Sequence, residues 1–174
     1  NALSEISNVS ISYNGTSLQD TNGNKVDTFS NQSVTWQDNT KPTLQSQVVY
    51  SSTPNTILLT FSENLSTSHV PTTSKFALND SSNSITGIAI NNTDNKIVEI
   101  TLLNALTSIS NVSITYSGTS LKDASGNKVN TFTNQSVTWQ DNISPTLTSI
   151  VVNTNAMNTI VLTFDETLYS TNNT

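Results

Sequence analysis

The chain repeats itself, and that limits its folds more than any other feature does. The string Asn31-Gln-Ser-Val-Thr-Trp36-Gln-Asp-Asn39 returns as Asn134-Gln-Ser-Val-Thr-Trp139-Gln-Asp-Asn142. Each copy is followed, after two variable residues, by Pro-Thr-Leu, at Pro42–Leu44 and Pro145–Leu147. A shift that carries Asn31 onto Asn134 aligns the chain on itself without a gap, with more than half of the aligned positions identical. It brings Asn1-Ala-Leu3 onto Asn104-Ala-Leu106, Ile6–Ile11 onto Ile109–Ile114, Gly15–Leu18 onto Gly118–Leu121 and Phe61 onto Phe164. A period of about 100 residues is a whole domain, not a solenoid unit. The sequence therefore divides into the C-terminal part of one repeat (1–39), a complete repeat (40–141) and the N-terminal part of a third (142–174). The flanking parts are too short to bury a core alone. The expectation is a longer tandem array; the alternative is that neighbouring copies supply the missing strands by strand addition.

Within the complete repeat, short apolar segments alternate with polar turn clusters. Strands are expected at Thr43–Tyr50, Thr56–Ser62, Lys75–Asn79, Ser84–Asn91 (with Gly87 marking a bulge), Ile97–Leu102, Asn111–Tyr116 and Val129–Phe132. In Ile97–Leu102, Ile97, Ile100 and Leu102 are expected to point one way and Val98 the other. The last strand, Gln135–Gln140, is expected to place Val137 and Trp139 inward. A single helical turn at Asn104–Ile109 is compatible with this pattern. Seven or so short strands in about 100 residues predict an all-β fold, an immunoglobulin-like antiparallel β-sandwich in tandem. The cysteines of antibody domains are absent, so the likeness is to the architecture.

Charge and cysteine usage exclude several functions. Charged residues make up 10% of the chain, the net charge is -6, and the basic residues number 6, all Lys. No basic face can be built to neutralise phosphates, which excludes nucleic acid as a partner. No apolar run reaches the ~18 residues of a membrane span. Asn, Ser and Thr fill close to half of the positions, so solubility rests on neutral polar side chains. With Cys at 0, disulfides, thiolate chemistry and Cys-based zinc sites are all excluded. A secreted domain without disulfides needs another staple, bound metal or glycans.

The scarce acids recur at the junctions. If the second strand returns antiparallel to the first, Glu63 comes back to the pole where the repeat begins. If Asn111–Tyr116 pairs antiparallel with the last strand, the turn Leu121-Lys-Asp123-Ala-Ser-Gly126-Asn127 reaches the same pole. Glu63 and Asp123 are thus expected to converge on the preceding linker, Asp38-Asn39. The next junction repeats the set with Asp141, Asn142, Asp165 and Glu166, and Asp20, the counterpart of Asp123 one repeat earlier, is expected to serve a junction before Asn1. Carboxylates with Asn side chains and loop carbonyls form an oxygen ligand set, which suits calcium. Each residue also has a structural reading: Asp-x-x-Gly-Asn is a stable turn by itself, Asp-Asn before Pro is an ordinary linker, and Glu63 is a strand-end charge.

The run Leu58-Leu-Thr-Phe61-Ser-Glu63-Asn-Leu65, the turn Ser120–Asn127 and the Thr-Trp-Gln-Asp-Asn-x-x-Pro linker resemble prokaryotic immunoglobulin-like surface repeats. The likeness is greatest to the type named after the swimming protein SwmB, and extends to the Ig-like domains of S-layer proteins. The Asp-Asn-x-x-Pro linker is also similar to that of cadherins, although the other acidic cadherin motifs are absent. The resemblance implies an extracellular location at the cell surface, in layers, filaments or adhesins, with adjacent repeats as partners and calcium at the junctions.

Other signals are weaker. Asn-x-Ser/Thr sequons occur at Asn8, Asn14, Asn31, Asn64, Asn79, Asn91, Asn111, Asn134, Asn142 and Asn172, so glycans are a candidate modification. Trp36 and Trp139 are read as core residues at the linker end, with stacking on sugars as the alternative. His69 has Asn172 as its counterpart and no second His or Cys beside it, so neither a zinc site nor a catalytic set can be assembled. A Lys–Asn isopeptide crosslink needs a buried Lys, Asn and acid together, which sequence does not place. The reading is a non-enzymatic structural repeat, with a carbohydrate- or surface-binding module and a strand-exchanging filament subunit as alternatives.

Overall fold

The computed structural model describes residues 9–107 and 112–169. Two compact units are distinguished, Asn1–Thr40 and Lys41–Thr174.

The first unit contains β1 (Ser10–Tyr13) and β2 (Phe29–Ser33), paired antiparallel. The second holds β3 (Leu44–Tyr50), β4 (Thr56–Phe61), β5 (Phe76–Leu78), β6 (Ile85–Ile90), β7 (Ile97–Leu102), β8 (Ser113–Tyr116), β9 (Phe132–Ser136) and β10 (Thr138–Gln140). It also carries a separate antiparallel hairpin of β11 (Leu147–Val152) and β12 (Ile160–Phe164). Strands β3 to β10 form a five-stranded sheet, ordered β10-β3-β4-β7-β6, and a three-stranded sheet, ordered β5-β8-β9. All pairings are antiparallel except β10 on β3. This is the expected immunoglobulin-like sandwich.

Period-two alternation explains which residues fill it. Val49, Ile57, Leu59, Phe61, Val98 and Ile100 of the larger sheet, and Ile114 and Tyr116 of the smaller, are all at 0% exposure in one core cluster. The arrangement in β7 corrects one expectation: Val98, Ile100 and Leu102 share the core face, and Ile97 is the residue that turns away. A strand alternates strictly, so Ile97 and Ile100 cannot face the same way. The bulge expected at Gly87 is present as a register shift between Ile85 and Gly87. The suggested turn at Asn104–Ile109 falls partly outside the described residues.

The last strand also differs from expectation, because it is two strands. β9 pairs with β8 in the smaller sheet, and after Val137 the chain crosses to the larger sheet, where β10 lies parallel to β3. Val137 is buried, with its N–H donating to the Val112 carbonyl at 2.9 Å. Trp139 does not close the core: it pairs with buried Val49 but stays 38% exposed, because β10 is an edge strand of three residues. Trp36 is 65% exposed.

The first residue of the repeated string has a backbone reason. Asn31 and Asn134 sit at φ 52° and 49°, inside β2 and β9. Each donates its N–H to a hydroxyl on the neighbouring strand, Ser12 Oγ at 2.9 Å and Thr115 Oγ1 at 3.0 Å. A left-handed residue within a strand makes a bulge, and Asn tolerates it better than other non-glycine residues. Asn134→Val is expected to cost about 1–2 kcal/mol in thermal unfolding, the left-handed penalty. Asn134→Gly is expected to stay close to the native protein. Equal melting of the two variants would show that the backbone does not select this Asn.

Candidate functional site

Glu63 and Asp123 lie side by side in the second unit because two loops are tied together there. After β4, Ser62 exchanges two bonds with Thr43: its N–H donates to the Thr43 carbonyl at 2.9 Å, and its Oγ accepts the Thr43 N–H at 3.0 Å. Leu65 then forms an isolated antiparallel bridge with Asp123, and the Ser66 N–H donates to the Lys122 carbonyl at 2.8 Å. These main-chain ties bring carboxylate oxygens of Glu63 and Asp123 within 4.8 Å of one another. Two oxygens bound to one calcium at ~2.3–2.6 Å are separated by no more than about 5 Å, so the pair fits a shared ion.

The Asp123 turn is organised around its carboxylate. The Asn127 N–H donates to Oδ1 and the Asn127 side-chain amide to Oδ2, both at 2.8 Å. Gly126 supplies the left-handed residue, at φ +95°. The Asp123 N–H closes the turn on the Asn127 carbonyl at 3.1 Å. Asp123 is only 4% exposed. Burial opposes its ionisation, but the hydrogen bonds from Asn127, Gly126 and Ser125 outweigh it, and its pKa lies below the ordinary carboxylate value. The first unit contains the same turn. Asp20 accepts the Asn24 N–H and side-chain amide, each at 2.8 Å, beside Gly23 at φ +88°. This turn is exposed, so its geometry is set by its own bonds. The structural reading of Asp-x-x-Gly-Asn is therefore correct as far as it goes, and Glu63 is what distinguishes the buried copy.

The remaining candidate residues are placed as follows. Asp38 and Asn39 belong to the first unit, where Asp38 Oδ1 accepts the Thr40 N–H at 2.9 Å. Asp141 and Asn142 are bound to the turn after β3. Ser51 Oγ donates to Asp141 Oδ1 at 2.6 Å, the Ser52 N–H donates to Asn142 Oδ1 at 3.1 Å, and the Asn142 N–H donates to Ser51 Oγ at 3.0 Å. The Ser51 hydroxyl holds the Asp141 pKa low, helped by the Ile143 N–H. Asp165 takes over the work of its counterpart Ser62: its Oδ1 accepts the Thr146 N–H at 2.7 Å, and its other oxygen accepts the Thr146 hydroxyl. Glu166, the counterpart of Glu63, has a raised pKa through burial first, then the charges of Asp141 and Asp165.

A feature that the acid pattern did not reveal recurs in both copies. The Tyr116 hydroxyl accepts the Leu121 N–H at 3.0 Å, and the Tyr13 hydroxyl accepts the Leu18 N–H at 2.9 Å. In each, the ring lies against a glycine two residues on, Gly118 or Gly15. The repeated Tyr-x-Gly-x-x-Leu spacing is its sequence signal. It anchors the chain just before the Asp123 turn.

Residues 37–121 match the model of a family described as a flagellar system-associated repeat, the SWM repeat. No curated protein matches the chain. A solved structure, the crystal structure of the N-terminal part of the bacterial S-layer protein SbsC, is similar at 16% identity and a TM-score of 0.47. That match covers 71% of this chain and 31% of the other, so the chain spans about a third of its length. Among the described residues, no helix is long and apolar enough to cross a membrane.

Proposed function

We propose that this chain, which carries a repeat of the SWM type over residues 37–121, is a structural segment of an extracellular cell-surface layer, filament or long adhesin. Each sandwich is a rigid unit, and the junctions between units set the stiffness of the rod. Calcium is the junction cation. The observation that carries this reading is the Glu63–Asp123 pair, brought within 4.8 Å at the end of the sandwich where the chain enters it. Thr43, hydrogen-bonded to Ser62, is five residues after Asp38, so chain connectivity keeps the linker within reach. Glu63 and Asp123 supply two carboxylates, and Asp38 with the Asn39 side chain complete an oxygen set. Asp141, Asn142, Asp165 and Glu166 supply the next. The ion neutralises carboxylates that otherwise repel.

The expected result is a rise in melting temperature on adding calcium and its reversal by a chelator. At a hundredfold excess over Kd the stabilisation is about 2.7 kcal/mol. Solution scattering is expected to show a stiffer particle with calcium, and the double variant E63Q/D123N is expected to lose the calcium-dependent shift. Identical melting and scattering with calcium and with chelator would sink the metal reading and leave the structural one.

A carbohydrate- or surface-binding module is a second reading, favoured by Trp139, which presents a 38% exposed ring on an edge strand. Tyr116, by contrast, is fully buried, so the contact would be one ring and not a platform. Quenching or a shift of Trp139 emission by soluble polysaccharide, lost in W139F, is the outcome that would support it.

A further inference from the structure

We propose that β3 and β10 form a mechanical clamp, so that the complete repeat resists tension applied along the chain through the linkers on either side of it.

Strand direction sets how the load is carried. β3 is the first strand of the sandwich and β10 the last, and they pair parallel, with Thr138 opposite Val48, Trp139 opposite Val49 and Gln140 opposite Tyr50. The chain enters the sandwich at the start of β3 and leaves it at the end of β10. In a parallel pair those two points lie at opposite ends of the ladder. Tension along the chain therefore draws β3 toward its own N-terminus and β10 toward its own C-terminus, and the two are pulled past each other. All the bonds between them are strained together. Were the two strands antiparallel, entry and exit would share one end of the ladder, and the bonds would open one after another.

The weaker side of this arrangement is reinforced. β3 lies between β10 and β4 in the five-stranded sheet. Withdrawing β3 from that sheet breaks two pairings, whereas withdrawing β10 breaks one, and β10 has only 3 residues. Further bonds brace it at both ends. At its start, Thr138 Oγ1 donates to the Gln47 carbonyl at 2.9 Å. At its end, the Ser51 N–H donates to the Gln140 carbonyl at 3.0 Å. The Ser51 hydroxyl donates to Asp141 Oδ1 at 2.6 Å and accepts the Asn142 N–H at 3.0 Å, and the Ser52 N–H donates to Asn142 Oδ1 at 3.1 Å. The contact thus runs from Gln47 to Ser52 on one side and from Thr138 to Asn142 on the other, well beyond the paired residues.

Hydrogen bonds to a charged group are the stronger kind. Asp141 places one where tension from the following linker first meets the clamp. The clamp acts on rate, because forced rupture is governed by the unfolding rate and not by equilibrium stability. That tension reaches the repeat in service rests on the rod reading above. The clamp itself rests on strand direction and needs no metal.

The test is single-molecule pulling on the 174-residue chain in chelator, with thiol handles introduced into a sequence that has no Cys of its own. Handles at T40C and I143C load the β3–β10 pair in shear. Handles at T53C and I143C, both beyond the same end of that ladder, open it from the end. All three positions are exposed. The rupture force is expected to be several-fold higher in the first geometry. At constant force in that geometry, S51A and T138V are each expected to rupture faster than the native chain, S51A by about tenfold for the loss of one bond to a charged group. Equal forces in the two geometries, or native rupture rates in both S51A and T138V, overturn the proposal. Because chelator is present throughout, failure here leaves the calcium-dependent melting and scattering of the rod reading as they were, and failure there leaves this result standing.

Discussion

Gly118→Ala is expected to destabilise the complete repeat by about 1–3 kcal/mol, the usual cost of forcing extra atoms into a packed core. A Cβ at this position lies 2.6 Å from Tyr116 Cε2 and 2.8 Å from both Cζ and Oη. The ring cannot swing aside. It is fully buried, its hydroxyl accepts the Leu121 N–H, and it is flanked by Phe76 and Phe132 with centroids at 4.7 Å and 5.7 Å. For a domain of this size, each kcal/mol moves the melting temperature by roughly 4–8 °C. Tyr116→Phe is expected to cost about 1–3 kcal/mol by a different route, since it leaves the buried Leu121 N–H without its acceptor. In the double variant G118A/Y116F the costs should fall short of their sum: the hydroxyl is one of the three atoms that the new methyl meets, so removing it relieves part of the clash. Tyr13→Phe is the control. The half-buried ring and exposed Leu18 of the first unit leave water able to replace the lost acceptor, so little change is expected. Denaturant unfolding with an unchanged m-value checks the series. A Gly118→Ala protein as stable as the native one would mean that the Tyr116 ring has room to move, and that the glycine is present for another reason.

The parts of this fold that were legible in the sequence are those governed by period and by the repeat. Alternation in Val112, Ile114 and Tyr116 marked a buried face, and the shift of 103 residues marked the unit. The antiparallel return of β4 on β3 and of β9 on β8 then followed from connection rules, and with it the approach of Glu63 to Asp123. What was illegible depends on events that leave little trace in local composition. The crossing from β9 to β10 turns on Val137, an ordinary strand residue whose neighbours pair with different sheets. Because β10 is short and lies at an edge, Trp139 stays partly exposed even though it alternates with buried Val137. Asp165 stands in the place of Ser62 and accepts from Thr146, a partner that the charge pattern does not reveal. A sequence records the charge and not the partner. The tyrosine–glycine pair is visible as a repeated spacing, but that the ring occupies the place of a side chain at Gly118 is a property of the packing alone.

Asp123→Ala is expected to lower the stability of the complete repeat by about 1–3 kcal/mol in the absence of calcium, because buried turn donors lose their acceptor. Asp123 is 4% exposed, and both of its oxygens accept from Asn127. Asp20 makes the same bonds at an exposed turn, so Asp20→Ala is expected to have a much smaller effect. The pH dependence separates charge from hydrogen bonding. The folded-state pKa of Asp123 lies below its ordinary value, because the bonds from Asn127, Gly126 and Ser125 outweigh the burial that opposes them. A depressed pKa means that the unfolded chain takes up the proton first. The contribution is therefore complete above the unfolded carboxylate value of about 3.9, and is lost as pH falls through the lower folded value. Asp141 and Asp165 are depressed in the same direction, while Glu166 is shifted upward by burial and by those two charges, and so opposes them as pH falls. Asp123→Asn keeps one acceptor oxygen and removes the titration. It is expected to be less destabilised than Asp123→Ala near neutral pH and to lose part of the acid sensitivity of the native protein. Calcium sharpens the contrast. If Glu63 and Asp123 hold the ion, its stabilisation disappears over the same acidic range, since protonation competes with the metal for the same oxygens. An acid limb with the same slope in D123N and the native chain, with and without calcium, would remove Asp123 from both roles.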